Sequence, residues 1–252
     1  MPLIEIDDVD RVRIVTLASD KPTNPIPRRT GEALVKALRE ADADDNLDAI
    51  VVTGGIDRSF SAGGDFNEVR LLTTDDRVND LISWYIDFFL GVLDTSKPTI
   101  AAIDHHAIGV GCQLAMMFDW KMMSNRADMR LPELEHGLGA SVGAVVFATA
   151  CSYDVSRHIV MSTQPISADE ALRKGIVDEV CEPEFLLDRA LQRAKRMGQY
   201  PRAAFSGTKR VLTNSLRTAL ENTREESLAV HREAFRARAM HKHFDNVLGT
   251  HN

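Results

Sequence analysis

Ser59-Phe60-Ser61-Ala62-Gly63-Gly64-Asp65-Phe66 lies just beyond an apolar run, Ala49-Ile50-Val51-Val52-Thr53. The run reads as a buried strand. A strand that empties into small residues and glycines can bring bare backbone N–H groups up to a ligand. Gly63 and Gly64 place no Cβ in the way and tolerate positive φ. Amide donors fixed in this manner suit an oxygen that gains negative charge during a reaction. Taken alone, a Gly-Gly pair reads first as a tight surface turn. A second segment changes that balance. Thr99-Ile100-Ala101-Ala102-Ile103 is another apolar strand, ending at Asp104-His105-His106-Ala107, and Gly109-Val110-Gly111 then opens a helix over Cys112–Met117. Strand, small-residue turn and helix thus occur around residues 50–70 and again around 100–117. This fits an α/β fold whose turns converge at strand ends.

Outward from these two units, Ile4–Ile6 and Val12–Leu17 suggest a β-hairpin. Lys21–Pro27, with three prolines in seven residues, is an extended loop. Thr30 is expected to cap a helix through Ala43, with Ala33, Leu34, Ala37, Leu38 and Ala41 on its buried face. Residues 68–93 carry one helical pattern that includes Trp84, Phe88 and Val92, and aromatics so placed are core or pocket wall. Trp120–Met123 and Met129–Leu131 read as short strands, and Pro132-Glu133 ends the second. Gly137–Gly143 leads into an apolar helix, and Ala168–Gly175 is a compact helix with a glycine stop. Leu186–Met197, Ala203–Leu212 and Leu216–Met240 are amphipathic segments. Residues 1–195 therefore read as the core, and 196–252 as a C-terminal helical region that packs on the core or on a neighbouring subunit.

The chain has 252 residues, 44% hydrophobic and 27% charged, enough for one large domain with a filled core. A net charge of −7 gives no nucleic-acid footprint. No basic segment followed by an apolar one opens the chain, and no apolar run is long enough to cross a bilayer. Cys112, Cys151 and Cys181 are widely spaced, an odd count without metal spacing. That argues for a reducing compartment, cytoplasm by default, and against a zinc site.

Four ordered motifs carry a resemblance over essentially the whole chain: Ala62-Gly63-Gly64-Asp65; Lys97-Pro98-Thr99-Ile100-Ala101-Ala102-Ile103 running on to Gly109-Val110-Gly111; Pro132-Glu133 with His136-Gly137-Leu138-Gly139; and Ser167-Ala168-Asp169-Glu170-Ala171 with Gly175-Ile176-Val177. Together the chain resembles the crotonase (enoyl-CoA hydratase/isomerase) superfamily, departing from it at His105, where the family usually has glycine. The resemblance implies a crotonase fold, with repeated ββα units forming a spiral core and a helical C-terminal region. It implies that the N–H groups of Gly64 and Val110 form an oxyanion hole for an acyl-coenzyme A thioester, with Ala62 and Asp65 beside it. It also implies a homotrimer or a dimer of trimers.

Hydratases of this superfamily use two glutamates to position water. The matching positions here are Gln113 and Glu133, and an amide cannot take a proton. A single-base reaction at Glu133 survives. Single-glutamate members include enoyl-CoA isomerases and the carboxymethylproline synthases of carbapenem biosynthesis. The chain is more similar to the latter, through Arg58–Val69, Met116–Asp119, Leu131–Gly137, Ser141–Ala144, Ala229–Phe235 and His243–Gly249. The reaction implied decarboxylates malonyl-CoA to an enolate, adds it to pyrroline-5-carboxylate and hydrolyses the thioester, with no metal or other bound cofactor. The alternative is an enoyl-CoA isomerase or hydratase of fatty acyl-CoA metabolism. Gln113 and His231 are the expected polar contacts to substrate, with Trp84 in the pocket wall and Val110 beside the enolate carbon. His105, His106 and His136 are expected to be structural or solvent-facing. Arg28, Arg29 and Lys242 are candidates for the coenzyme A phosphates.

Overall fold

The computed structural model describes residues 3–237. Lys242, the segment His243–Gly249 and the end of the last expected helix lie outside the described residues. Strands β1 (Ile4–Val9) and β2 (Val12–Leu17) form the expected antiparallel hairpin. Next to β2, three strands join in parallel register: β3 (Ala49–Thr53), β4 (Thr99–Ile103) and β6 (Trp120–Ser124). With β9 (Glu179–Cys181) they complete a six-stranded sheet in the order β1-β2-β3-β4-β6-β9. Every residue of β3 and of β4 is buried, as strands covered on both faces must be. Alternate residues serve different cores. Ile50, Val52, Ala101 and Ile103 face the large core, whereas Val51, Ile100, Ala102 and Met122 pack on α8 (Leu186–Gly198) through Leu186, Ala190 and Ala194.

A second, smaller sheet is built from β5 (His106–Ile108), β7 (Asp128–Arg130) and β8 (Ile166–Ser167). Strands β4 and β5 precede helix α4 (Val110–Ala115), and β6 and β7 precede α5 (Ser141–Ala150). Each repeat thus gives one strand to each sheet before its helix. The first repeat follows the same path, because Ser61, beyond β3, pairs in parallel with Ala107 of β5. This is the ββα spiral expected from the motifs.

Several local expectations need correction. Helix α1 (Arg28–Ala43) starts two residues before Thr30, after Pro27, whose extended backbone forms the cap. The single pattern over 68–93 is two helices, α2 (Phe66–Arg70) and α3 (Asp75–Leu93), and the Thr74 side chain accepts from Arg77 N–H to start the second. The three-residue strand β5 was unmarked because it is too short for a periodicity. Helix α6 (Tyr153–Ser162) follows α5, and α7 (Ala168–Arg173) ends at Gly175 with φ +69°. The C-terminal segments divide at Thr223, between α9 (Arg202–Asn222) and α10 (Arg224–Arg236), and not between residues 212 and 216. The division expected at residue 195 falls in the last turn of α8. Helix α9 is anchored by a buried cation: Lys209 Nζ lies 2.7 Å from an Asp119 carboxylate oxygen that also accepts from Thr99 N–H and Oγ. Helix α10 returns to pack on α3.

Candidate active site

The two glycine turns lie side by side because Ser61 N–H donates to His106 O (3.0 Å) and Ile108 N–H donates to Ser61 O (2.8 Å). Behind them, buried Asn24 Nδ2 donates to Gly54 O (2.9 Å) and Ser59 O (2.8 Å), clamping the loop after β3. At the far end of β4, burial pushes the Asp104 carboxyl up, but Arg126, Ser124 and the His105 N–H outweigh it and hold the group down at about 2. His105 there has φ +48°, a left-handed conformation that explains why glycine is usual at this place.

Gly63 (φ +98°) and Gly109 (φ +55°) turn the backbone at the cavity, and the residues that follow them, Gly64 and Val110, line it. Gly64 N–H and Val110 N–H donate to no acceptor among the described residues. The crowding is severe. A Cβ on Gly64 would stand 2.4 Å from Tyr85 Oη, and one on Gly111 would stand 2.4 Å from Ser61 O. Only glycine lets these segments approach so closely.

Gln113 follows Val110 by three residues on α4, so both lie on one helix face. Glu133 arrives from beyond β7, after Leu131-Pro132. Gln113 Nε2 donates to Glu133 Oε1 at 3.0 Å, while the buried Oε2 has no partner among the described residues. Burial is the main influence on Glu133 and pushes its carboxyl up to about 7, against the opposing pull of its own backbone N–H and of Gln113. A group titrating there can both take and return a proton near neutral pH. Oε1 also lies 3.4 Å from where a Gly109 Cβ would be, which puts the carboxylate beside the second turn.

Helix α10 closes the opposite wall. His231 Nδ1 lies 2.7 Å from Ser227 O, so Nδ1 carries the hydrogen of the neutral ring. Burial is the main influence on this imidazole and pushes its pKa down, which favours that neutral form. Gly139 admits the helix: a Cβ there would stand 2.5 Å from Val230 Cγ1 and 3.4 Å from His231 Cε1.

Ala62, Gly64, Val110, Gln113, Glu133 and His231 therefore meet around one cavity, whose other walls are mostly apolar. Two expected contacts do not reach it. Asp65 caps α2 by accepting from Asn67 N–H (2.9 Å), and Trp84 is stacked on Phe88 beneath the Arg28 guanidinium. Arg28 is itself paired with Asp80 at 2.5 Å. Among the histidines, His106 pairs with Asp128 (3.0 Å), but His136 lines the cavity and meets Phe66 edge-on, contrary to expectation. The sequence reading missed Tyr85, the neighbour of Trp84, whose ring is in the cavity wall. On an apolar helix such as α3 no periodicity separates the two, and only the crowding at Gly64 singles out Tyr85. No Lys or Arg is among the described residues that line the cavity. No helix among the described residues is long and apolar enough to cross a membrane.

Comparisons with known proteins bear on the family and the fold. The enoyl-CoA hydratase/isomerase family matches residues 9–249. A carboxymethylproline synthase from Pectobacterium carotovorum subsp. carotovorum is 42% identical over 243 residues, covering 96% of this chain and 97% of that protein. A probable enoyl-CoA hydratase from Rhizobium meliloti is 30% identical, covering 92% of this chain and 88% of the relative. Among solved structures, ThnE from S. clavuligerus superposes with a TM-score of 0.79 at 28% identity, over 90% of this chain and 100% of that one. An enoyl-CoA hydratase/isomerase from Mycobacterium paratuberculosis gives a TM-score of 0.86 at 26% identity, over 98% and 99%.

Proposed function

This chain belongs to the enoyl-CoA hydratase/isomerase family, the crotonase superfamily of acyl-CoA enzymes, and from that premise we propose that it acts as a carboxymethylproline synthase. The observation that carries the reading is the pairing of Glu133 with an amide. Gln113 Nε2 occupies Glu133 Oε1, where a hydratase of this superfamily would bring a second carboxylate to the same water. One base and two backbone donors remain, and these suit an enolate that is made without removing a proton.

In this reading malonyl-CoA binds with its thioester oxygen between Gly64 N–H and Val110 N–H. Loss of carbon dioxide breaks a C–C bond, and its electron pair moves into the thioester, leaving the enolate oxygen on the two amides. Donors aimed at that oxygen act on the charge that develops, and losing one typically costs about 3–4 kcal/mol. The enolate carbon attacks the protonated C=N of pyrroline-5-carboxylate, whose nitrogen takes the electron pair. Glu133 then draws a proton from water, the hydroxide attacks the thioester carbonyl, and coenzyme A leaves as carboxymethylproline forms. The route needs no resident metal or redox group. The 42% identity to a carboxymethylproline synthase over nearly the full length of both chains supports this specific activity over the broader family.

The test is incubation with malonyl-CoA, with and without pyrroline-5-carboxylate, followed by mass spectrometry. The expected product is carboxymethylproline, formed only with both substrates present. Glu133→Ala should still release carbon dioxide but accumulate the thioester-bound adduct. Ordinary enzymatic hydration of crotonyl-CoA, with malonyl-CoA left untouched, would overturn the proposal.

A further inference from the structure

Tyr85 on α3 is 8% exposed, and what remains open of it faces the cavity. The Cβ position of Gly64 is 2.4 Å from Tyr85 Oη and 3.9 Å from Val110 Cγ2. The phenol therefore lies over Cα of the first glycine turn, on the side that Val110 faces. No hydrogen bond among the described residues engages Oη. Burial first, then the negative charges of Glu68 and Asp65, push the phenol's pKa up, so it stays a neutral donor. The hydroxyl is not sealed off, and the space that opens on it is the cavity, where an acceptor can reach it.

The neighbouring polar groups already have partners: Gln113 Nε2 has Glu133 Oε1, and His231 Nδ1 has Ser227 O. No Lys or Arg lines the cavity among the described residues; the His136 imidazole also lines it, and its positive charge helps to hold the Glu135 carboxyl down. An acyl unit with a carboxylate next to its thioester therefore meets no Lys or Arg there, while Tyr85 presents an O–H that lacks an acceptor.

We infer that Tyr85 Oη donates the hydrogen bond that holds the acyl unit's carboxylate beside the two glycine turns, and so selects carboxylated acyl-CoA thioesters over unsubstituted ones. The inference rests on the malonyl-CoA reading above. A neutral donor fits the chemistry better than a cation. Carbon dioxide leaves uncharged, so a full positive charge at the carboxylate would favour the bound reactant over the transition state, whereas a single O–H orients the group with little such bias.

The test is Tyr85→Phe, which removes one oxygen and keeps the ring, with circular dichroism to establish that the variant folds. KM for malonyl-CoA is measured alongside the inhibition constant of acetyl-CoA. The expected result is a malonyl-CoA KM raised roughly ten- to hundredfold, the range for a lost hydrogen bond to a charged group, with acetyl-CoA changed by less than about twofold. Equal weakening of both thioesters, or of neither, overturns the assignment. If the unaltered protein does not consume malonyl-CoA, the proposed function fails. Titration calorimetry with malonyl-CoA and acetyl-CoA then reads the same discrimination directly, and a Tyr85→Phe variant that retains it overturns the inference.

Discussion

Glu133→Gln removes one titration from the interior while keeping the shape of the side chain. In the unfolded chain this carboxyl has its ordinary value of 4.5, and in the folded protein burial raises it to about 7. Between those values the folded state holds a proton that the unfolded state has lost. The wild-type protein therefore gains stability from Glu133 as pH falls from 7 toward 4.5, and carries the full cost of the buried charge above 7. The difference between the two values corresponds to ~3 kcal/mol. Glutamine carries no such cost at any pH. The stability of Glu133→Gln relative to wild type should thus rise by roughly 2–3 kcal/mol between about pH 5 and about pH 8.5. Urea unfolding followed by circular dichroism across that range reads it directly. A stability difference that stays flat with pH, or that moves the other way, would refute the buried-carboxylate argument. Activity should move oppositely to stability: wild-type product formation rises as pH climbs through 7, and Glu133→Gln loses about 10²–10⁴-fold.

Three further outcomes follow from distances in the site. Gln113→Glu places a second carboxylate against Glu133, where the present contact is 3.0 Å; the pair should share a proton near neutrality. Hydration of crotonyl-CoA, followed by loss of enoyl absorbance, should rise at least about tenfold, and no rise would count against the two-carboxylate logic. Gly64→Ala drives a methyl to 2.4 Å from Tyr85 Oη and should destabilise the fold by about 1–3 kcal/mol. Most of that loss should vanish in a Tyr85→Phe background, and equal losses in both backgrounds by thermal unfolding would deny the contact. His105→Gly relieves a left-handed φ of +48° and should stabilise by about 1 kcal/mol, readable by urea unfolding; a loss of stability would show that the His105 ring earns more than its backbone costs.

Much of the site was legible in the sequence because it depends on residue types that cannot be exchanged. Glycines at 63, 64, 109 and 111 mark close backbone approaches, and the structure places a clash or a positive φ at each of them. Glutamine at 113 opposite glutamate at 133 was visible as a chemical asymmetry, though their contact was not. Tyr85 was hidden because α3 is apolar on most of its surface, so neither Tyr85 nor Trp84 stood out by spacing. Asp65 was misplaced for the opposite reason. A carboxylate beside a glycine turn invites a role in the pocket, while its position before Phe66 makes it a helix cap. Helix boundaries at Thr74 and Thr223 escaped because neither is marked by proline or glycine.

The cavity takes its two glycine turns from the first half of the chain and a wall, with His231 and Phe235, from α10. During synthesis the sheet and both turns can form while α10 is still within the ribosome, so a nascent chain holds the amides of the site without the wall that encloses it. A ligand that needs both the amides and that wall can be held only once α10 is in place, and any stabilisation it brings by binding goes to completed molecules. One cut at Gln199–Pro201, between α8 and α9, would leave the strands and glycine turns covalently intact and sever the segment that carries the wall.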